Sequence, residues 1–313
     1  VSLRTFARHV VVVTVGFALG LGALVASWLG GYRVPFVSGT TYVELTKLDH
    51  AGYAGQSDGL VFIALIGSDY RPGLGGARGD ALHVLALNPA LNAGTMLNVP
   101  RDTCAQVPGR GTSKINNAHS EGGAKLQAEV LAEVTGAPIR YAVSVDFDGF
   151  SSIVDGVGGV DVDVPFEMSD RYSGAFFSPG RHHFGGRDAL AFSRDRHDFG
   201  PGDIQRSWNQ AYLVLSAFRG LRTQYASPAK RFELLALLHR HSEVHGASLS
   251  ELFRLGQAAF DVDPAQVKSV TIPTSGGDCL RVAGEAVTLF ADFVDDGVLQ
   301  SHNGGAFDNP TGR

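Results

Sequence analysis

The sequence predicts an α/β domain in which helices cover a central, mostly buried sheet, preceded by one transmembrane helix. Three observations carry this. Segments patterned as strands alternate with segments of helical spacing. The run 60–66 (LVFIALI) is continuously apolar, as in a strand buried on both faces. Residues 10–32 hold no charged side chain, about the ~20 residues that span a bilayer core as helix. Of 313 residues, 44% are hydrophobic and 18% charged, enough apolar material for a sizeable core. The 26 Lys and Arg against 31 Asp and Glu give a net charge of -5, which argues against nucleic acid as a partner, since phosphate contacts need a basic face.

Arg4 and Arg8 precede the apolar run, so positive charge places residues 1–9 in the cytoplasm and the chain beyond 32 outside the cell membrane. Trp28 and Tyr32 sit where an outer aromatic belt would lie. The rival is a cleaved signal peptide, with the small residues around Ala26 and Ser27 near its processing site. Residues 33–58 mix Gly, Ser, Thr and Pro and read as an extracytoplasmic linker. The folded domain is expected over 59–297, with 298–313 as a tail. Gly67 ends the first strand; strands at 81–87 and 95–99 follow, separated by the turn residues Asn88, Pro89, Asn92 and Gly94. A helix over 119–133 stops at Gly136 and Pro138. A strand at 141–147 and a short helix at 150–154 come next. Asp203 can cap a helix running to Arg219, with Gly220 just past its end. Helices at 228–241, 248–260 and 285–294 and a strand at 267–272 complete the pattern. In an exported domain Cys104 and Cys279 are either disulfide partners or two free thiols, and no Cys/His spacing suggests zinc.

Acidic residues and arginines recur together at strand ends: Asp69 with Arg71, Arg78 with Asp80, Arg101 with Asp102, Arg194 with Arg196, and Asp203 with Arg206. Any one alone reads equally as solvated loop charge or a surface ion pair. Together they suggest one pocket, because open α/β sheets bind ligands at strand ends. Arg194 and Arg196 stand two apart, so on an extended strand both would face the same way, and an anion between them would relieve their repulsion. Arg206 falls in the first turn of its helix, where backbone N–H groups also favour an anion, and Gln210 lies one turn on. The arginines thus resemble a phosphate or diphosphate clamp. Asp69 and Asp80 are hard oxygen donors of the kind magnesium takes beside substrate phosphates. The alternative is that Asp69 caps its turn and Asp80 pairs with Arg78. His241 and His245 could share a helix face at metal-ligand spacing, though a helix end is an ordinary place for His. No GxSxG, Walker A, HExxH or Rossmann fingerprint is present.

Seven stretches, IALIGSDYR, RGDAL, NVPRDT, SKINNAH, FDGFSSIVDGVGGVDVDVP, FGGRDALAFSRDRHD and GDIQRSWNQ, occur in the order found in the LytR-CpsA-Psr family of bacterial envelope proteins, which the chain therefore resembles. The resemblance implies a mixed sheet with helices on both faces. It implies a phosphotransferase, dependent on Mg2+ or Mn2+, that moves an anionic glycopolymer from a polyprenyl diphosphate carrier onto peptidoglycan in cell wall assembly. Asp69, Asp80 and Arg101 would be catalytic, with Asp69 and Asp80 holding the metal. Arg78, Arg101, Arg194, Arg196, Arg206 and Gln210 would bind the diphosphate, and the lipid would lie in an apolar tunnel. Alternatives sharing the site are a polyprenyl-phosphate-binding regulator or scaffold and an envelope pyrophosphatase. Two positions depart from the family's pattern: Asn209 stands where another Arg is common, and Gly79 replaces a Ser between Arg78 and Asp80.

Overall fold

The computed structural model describes residues 43–48, 59–69, 77–196, 202–240 and 242–300. The expected membrane span at 10–32, the linker residues 33–42 and 49–58, and the tail beyond 300 lie outside them. No helix among the described residues is long and apolar enough to cross a membrane.

In chain order the elements are β1 (Val43–Lys47), β2 (Val61–Ser68), β3 (Gly79–Asn88), β4 (Ala93–Asn98), the hairpin β5 and β6 (Cys104–Val107, Gly111–Lys114), α1 (Asn117–Thr135), β7 (Tyr141–Asp146) and α2 (Phe147–Gly156). There follow β8 (Val160–Val164), the hairpin β9 and β10 (Met168–Asp170, Ala175–Phe177), β11 (Gly180–Phe184), α3 (Gly186–Arg194), α4 (Gly202–Gln224) and α5 (Pro228–Arg240). The chain continues through β12 (Ser242–His245), α6 (Leu249–Asp261), β13 (Val267–Thr271), the short pair β14 and β15 (Thr274–Ser275, Arg281–Val282) and α7 (Ala286–Asp296).

Seven strands form one mixed sheet in the order β12-β1-β7-β2-β3-β4-β13. The apolar run 60–66 becomes β2 near its centre, with β7 parallel on one side and β3 antiparallel on the other. Alternation sends Phe62, Ala64 and Ile66 into a core beneath α1 and α7. Val61 and Ile63 go to the opposite core, which Ala211 and Leu215 of α4 share with α6. A strand covered on both faces must be apolar at every position, which is why β2 shows no polar alternation. A third cluster, with Val160, Val162, Phe184 and Phe192, joins β8, β11 and α3 to α4 through Leu213. The helix α4 therefore serves two cores from different sides.

Element ends follow local chemistry. Gly136 closes α1 in the left-handed region, φ 70°, as its position after the helical spacing predicts. Ser248 and Glu251 form a reciprocal capping box at the start of α6. Glu251 also meets Lys47 Nζ of β1 at 2.8 Å, and these partners hold its carboxyl down to about 2. Three expectations need correction. The linker 33–58 contains β1, which pairs with β7 and β12, so the folded domain begins before residue 59. A five-residue strand with one buried position is too short and too polar to show periodicity. The helix expected to be capped by Asp203 and to stop at Gly220 instead begins at Gly202, which leaves Arg206 beyond its first turn, and runs to Gln224, because apolar contacts of Leu221 with Tyr225 and Leu234 extend the packed surface. His245 lies on β12, not on the expected helix face, and His241 lies outside the described residues.

Cys104 and Cys279 are joined in a disulfide, with their α-carbons 5.2 Å apart. Around it Cys104 N–H donates to Leu280 O and Leu280 N–H to Asp102 O. The bridge therefore pins the loop after β4 to a segment 175 residues away. Replacing both cysteines with Ser should lower stability by about 2–5 kcal/mol, because so long a closed loop restricts the unfolded chain strongly. A denaturant midpoint unchanged under reducing and oxidising conditions would contradict this.

Candidate functional site

Strand direction assembles the site. With β2, β7 and β4 running one way and β3 the other, the C-terminal ends of the first three share an edge with the start of β3. Asp69 follows β2, Asp146 ends β7, Arg101 follows β4, and Asp80 starts β3. At Asp80 the ladder carries a bulge: Gly67 pairs with Ala81 and Ser68 with Gly79, leaving Asp80 without an opposite residue. Such an insertion re-aims a side chain, and Asp80 lines the same cavity as Ala81 and His83. Gly79 makes this possible, since a Cβ there would stand 2.8 Å from Gln127 Oε1 and 2.9 Å from Leu82 Cδ2. The glycine thus reflects close packing as well as flexibility.

The cavity, of about 440 Å³, lies between the sheet and α4. Arg206, Gln210, Leu213 and Val214 of α4 face it at one-turn and two-turn spacing. Arg101, Arg194 and Arg196 complete a group of four guanidiniums in the lining. Apolar wall is supplied by Leu65, Val143, Phe147, Phe150 and Leu190 among others. Arg194 and Arg196 reach it otherwise than expected: Arg194 is the last residue of α3 and Asp195 is its buried C-cap, so the pair straddles a helix end instead of lying on a strand. The helix end suits the positive charge, and Arg194 lies 5.0 Å over the Phe147 ring. Two glycine-dependent contacts set this geometry. Asp155, in the last turn of α2, accepts from Gly186 N–H at 2.7 Å, and a Cβ on Gly186 would stand 2.2 Å from Ser151 O.

The carboxylates of the lining are engaged differently. Asp146 caps α2 through Gly149 N–H, and Asp170 accepts from Tyr172 N–H. Asp80 Oδ2 meets Arg101 Nη1 at 2.8 Å, while its Oδ1 is buried without a hydrogen-bond partner. Asp102, 3.9 Å from Arg101 Nε and 3.2 Å from Lys114 Nζ, braces the arginine from behind. Asp69 and Arg78 are not in the lining. They form a two-way backbone closure: Asp69 N–H donates to Arg78 O, and Asp69 Oδ1 accepts from Arg78 N–H at 2.6 Å. Asp80 pairs with Arg101 and not with Arg78. Asn209 is buried toward α3, accepting from Gln205 Nε2 at 3.0 Å, and is not in the lining either.

One lining residue carries no signal in sequence patterning. His83 is 3% exposed, and Asn98 fixes its tautomer. The Asn98 amide nitrogen donates toward Ser269 and Thr271, so its oxygen accepts from His83 Nδ1–H at 2.9 Å. Nε2 is left as a buried acceptor without a partner. Burial outweighs the hydrogen bond and pushes the imidazole down to about 4, so it is neutral at pH 7.

A magnesium ion usually takes one or two carboxylates together with substrate phosphate oxygens. The partnerless Oδ1 of Asp80, beside four arginines suited to those phosphates, fits that division. Among the described residues no group of three or more His, Cys, Asp or Glu side chains forms a self-sufficient metal site.

The sequence profile of the LytR_cpsA_psr family matches residues 38–290. A polyisoprenyl-teichoic acid–peptidoglycan teichoic acid transferase, TagU, of Bacillus mycoides is 37% identical over 160 residues, 51% of this chain and 52% of that protein. The chain thus spans about half the length of the curated relatives it matches. The crystal structure of B. subtilis TagV superposes with a TM-score of 0.66 at 26% identity, covering 79% of this chain and 100% of that one. A LytR-Csp2A-Psr enzyme from Actinomyces oris gives 0.63 at 25% identity, covering 75% and 89%.

Two outcomes test this site. Because His83 titrates below its unfolded value, the unfolded chain binds the extra proton first, and stability is lost as pH falls from about 6.5 toward 4, by up to about 3 kcal/mol. His83→Gln should flatten that slope in denaturant titrations; an unchanged slope would exclude the buried neutral imidazole. Gly186→Ala should cost about 1–3 kcal/mol or more through overpacking and weaken pyrophosphate binding by displacing Arg194. Normal calorimetric affinity in that variant would contradict the second half.

Proposed function

The chain belongs to the LytR-CpsA-Psr family, and from that premise we propose that it is a phosphotransferase that moves an anionic glycopolymer from a polyprenyl diphosphate carrier onto peptidoglycan. One observation carries the proposal. Asp80, Arg101, Arg194, Arg196, Arg206 and Gln210, spread over 131 positions of sequence from 80 to 210, line one cavity whose remaining wall is largely apolar. That is the division an amphipathic lipid diphosphate requires, with a cationic mouth for the head and hydrocarbon contact for the tail.

In this reading an acceptor hydroxyl of peptidoglycan attacks the sugar-bearing phosphorus. The new P–O bond forms as the bond to the polyprenyl phosphate breaks, the hydroxyl proton passes to water or to the departing polyprenyl phosphate, and a phosphodiester remains on the wall polymer. Phosphoryl transfer is limited mainly by positioning and charge neutralisation. The buried Arg206 and the Asp80-braced Arg101 hold fixed positive charge, and the more exposed Arg196 closes the clamp from the mouth. Asp80, joined by Asp69 from the loop beside the cavity through the carboxylate oxygen that does not accept from Arg78 N–H, would hold Mg2+ or Mn2+, which would supply further charge neutralisation on phosphate oxygens. The disulfide is at home in an oxidising compartment, which supports placing the domain outside the cytoplasmic membrane behind the 10–32 anchor. The names of the relatives, which are teichoic acid transferases, support an anionic wall polymer as the cargo.

Asp80→Ala and Arg196→Ala should each reduce transfer from a lipid-linked donor by roughly 10²-fold or more, with circular dichroism unchanged. Full activity in either variant would overturn the assignment. Phosphate release that needs no peptidoglycan acceptor would redirect it to hydrolysis.

A further inference from the structure

The β9–β10 hairpin has one face occupied. Met168, Asp170 and Ala175 are buried, and Phe177 leans on Phe184 with ring centroids 4.5 Å apart. Two-residue alternation then turns Phe176 outward, 62% exposed, while the connecting turn carries Tyr172, 65% exposed. Among the described residues, no other element carries more than one exposed large hydrophobic. A single exposed phenylalanine is ordinary on a protein surface, but two large aromatics exposed on one hairpin form a patch.

The turn is held firmly. Tyr172 N–H donates to Asp170 Oδ1 at 2.8 Å, and Gly174 N–H to Asp170 O at 2.8 Å. Gly174 takes the left-handed conformation, φ 81°, that such a turn needs. Arg171 lies 4.9 Å over the Tyr172 ring and donates to its hydroxyl at 2.9 Å. The tip thus presents two aromatic bodies and a cation, the composition that settles at a bilayer interface, where rings sit among headgroups and guanidinium meets lipid phosphate. A sugar-stacking platform is the weaker fit: the guanidinium covers one face of Tyr172, and Phe176 offers a sugar no hydrogen bond. The same hairpin supplies Asp170, Tyr172 and Ser173 to the cavity lining.

We propose that the β9–β10 hairpin docks on the surface of an anionic bilayer and seats the cavity mouth against the membrane from which its ligand is drawn. This rests on the lipid-linked donor proposed above. A tail stored in a membrane can enter a protein cavity without crossing water only if the rim of that cavity meets the bilayer, since each CH₂ exposed on the way costs about 0.8 kcal/mol.

The test uses the full chain reconstituted in vesicles of phosphatidylcholine and phosphatidylglycerol. Phe176→Trp is the reporter; Val287→Trp, at a position 69% exposed on α7 over the opposite face of the sheet, is the control. The emission added at 176 is expected to be blue-shifted and quenched by acyl-brominated lipid roughly twofold or more beyond that added at 287, as for an interfacial aromatic. Arg171→Glu should weaken the quenching. Quenching at 176 no greater than at 287 overturns the proposal. So does a blue shift that appears only when peptidoglycan fragments are added in lipid-free detergent, which would assign the hairpin to the acceptor glycan. Polyprenyl phosphate binding in detergent micelles separates the two readings. Binding retained by the parent chain and by Phe176→Ser, with no quenching at 176, removes the docking alone; no binding by the parent removes the lipid-linked donor itself.

Discussion

Four guanidinium groups in the lining of one cavity repel one another, and much of the fold serves to hold them together. Each is restrained by a different device. Arg101 has the Asp80 carboxylate before it and Asp102 beside it. Arg194 has a helix C-terminus and the face of Phe147. Arg206 is buried on α4, four residues after the Gly202 at which that helix begins. Four positive charges gathered in one lining favour an anion in the cavity, as expected of a group selected for its ligand and not for stability.

The arrangement is mixed in sheet direction for a reason visible at the site. A purely parallel sheet would bring only strand C-terminal ends to one edge. Here the antiparallel β3 delivers its beginning there, and the bulge at Asp80 rotates that carboxylate onto the cavity face. The result sets Asp80 beside Arg101 although 21 residues separate them. Gln127, whose side-chain amide is buried without a partner in the described structure, crowds the space over Gly79 and leaves no room for a larger residue as the surroundings stand.

Much of this was legible from residues alone. The doubly buried β2, the helix ends at Gly136 and Ser248, and the recurrence of Asp and Arg near strand ends follow from local chemistry that tertiary structure did not override. What could not be read is instructive. β1 is short and polar, and its identity comes from the strands beside it. Asp146 and Asp170 look like ordinary turn formers and act as such, yet their turns place them in the cavity wall. His83 sits within an apolar strand, where its role depends on Asn98, itself oriented by β13. Arg194 and Arg196 line one cavity by a different backbone from the one their spacing suggests: two-residue spacing suits a strand, but Asp195 caps a helix, and the chain turns between them. Asp69 and Arg78 show the converse, since matching residue types at strand ends close a loop beside the cavity without entering its wall.

The disulfide imposes an order on maturation. A growing polypeptide presents Cys104 long before Cys279, and β13, which completes the edge of the sheet beside β4, also arrives late. The segment bearing Arg101 has its bonds from Ile115 and Asn116 close by in sequence, whereas its link to Cys279 and Leu280 needs nearly the whole chain. A product truncated before residue 279 lacks this clasp on the loop that carries Arg101. The covalent staple therefore makes the placement of that loop depend on both ends of the domain.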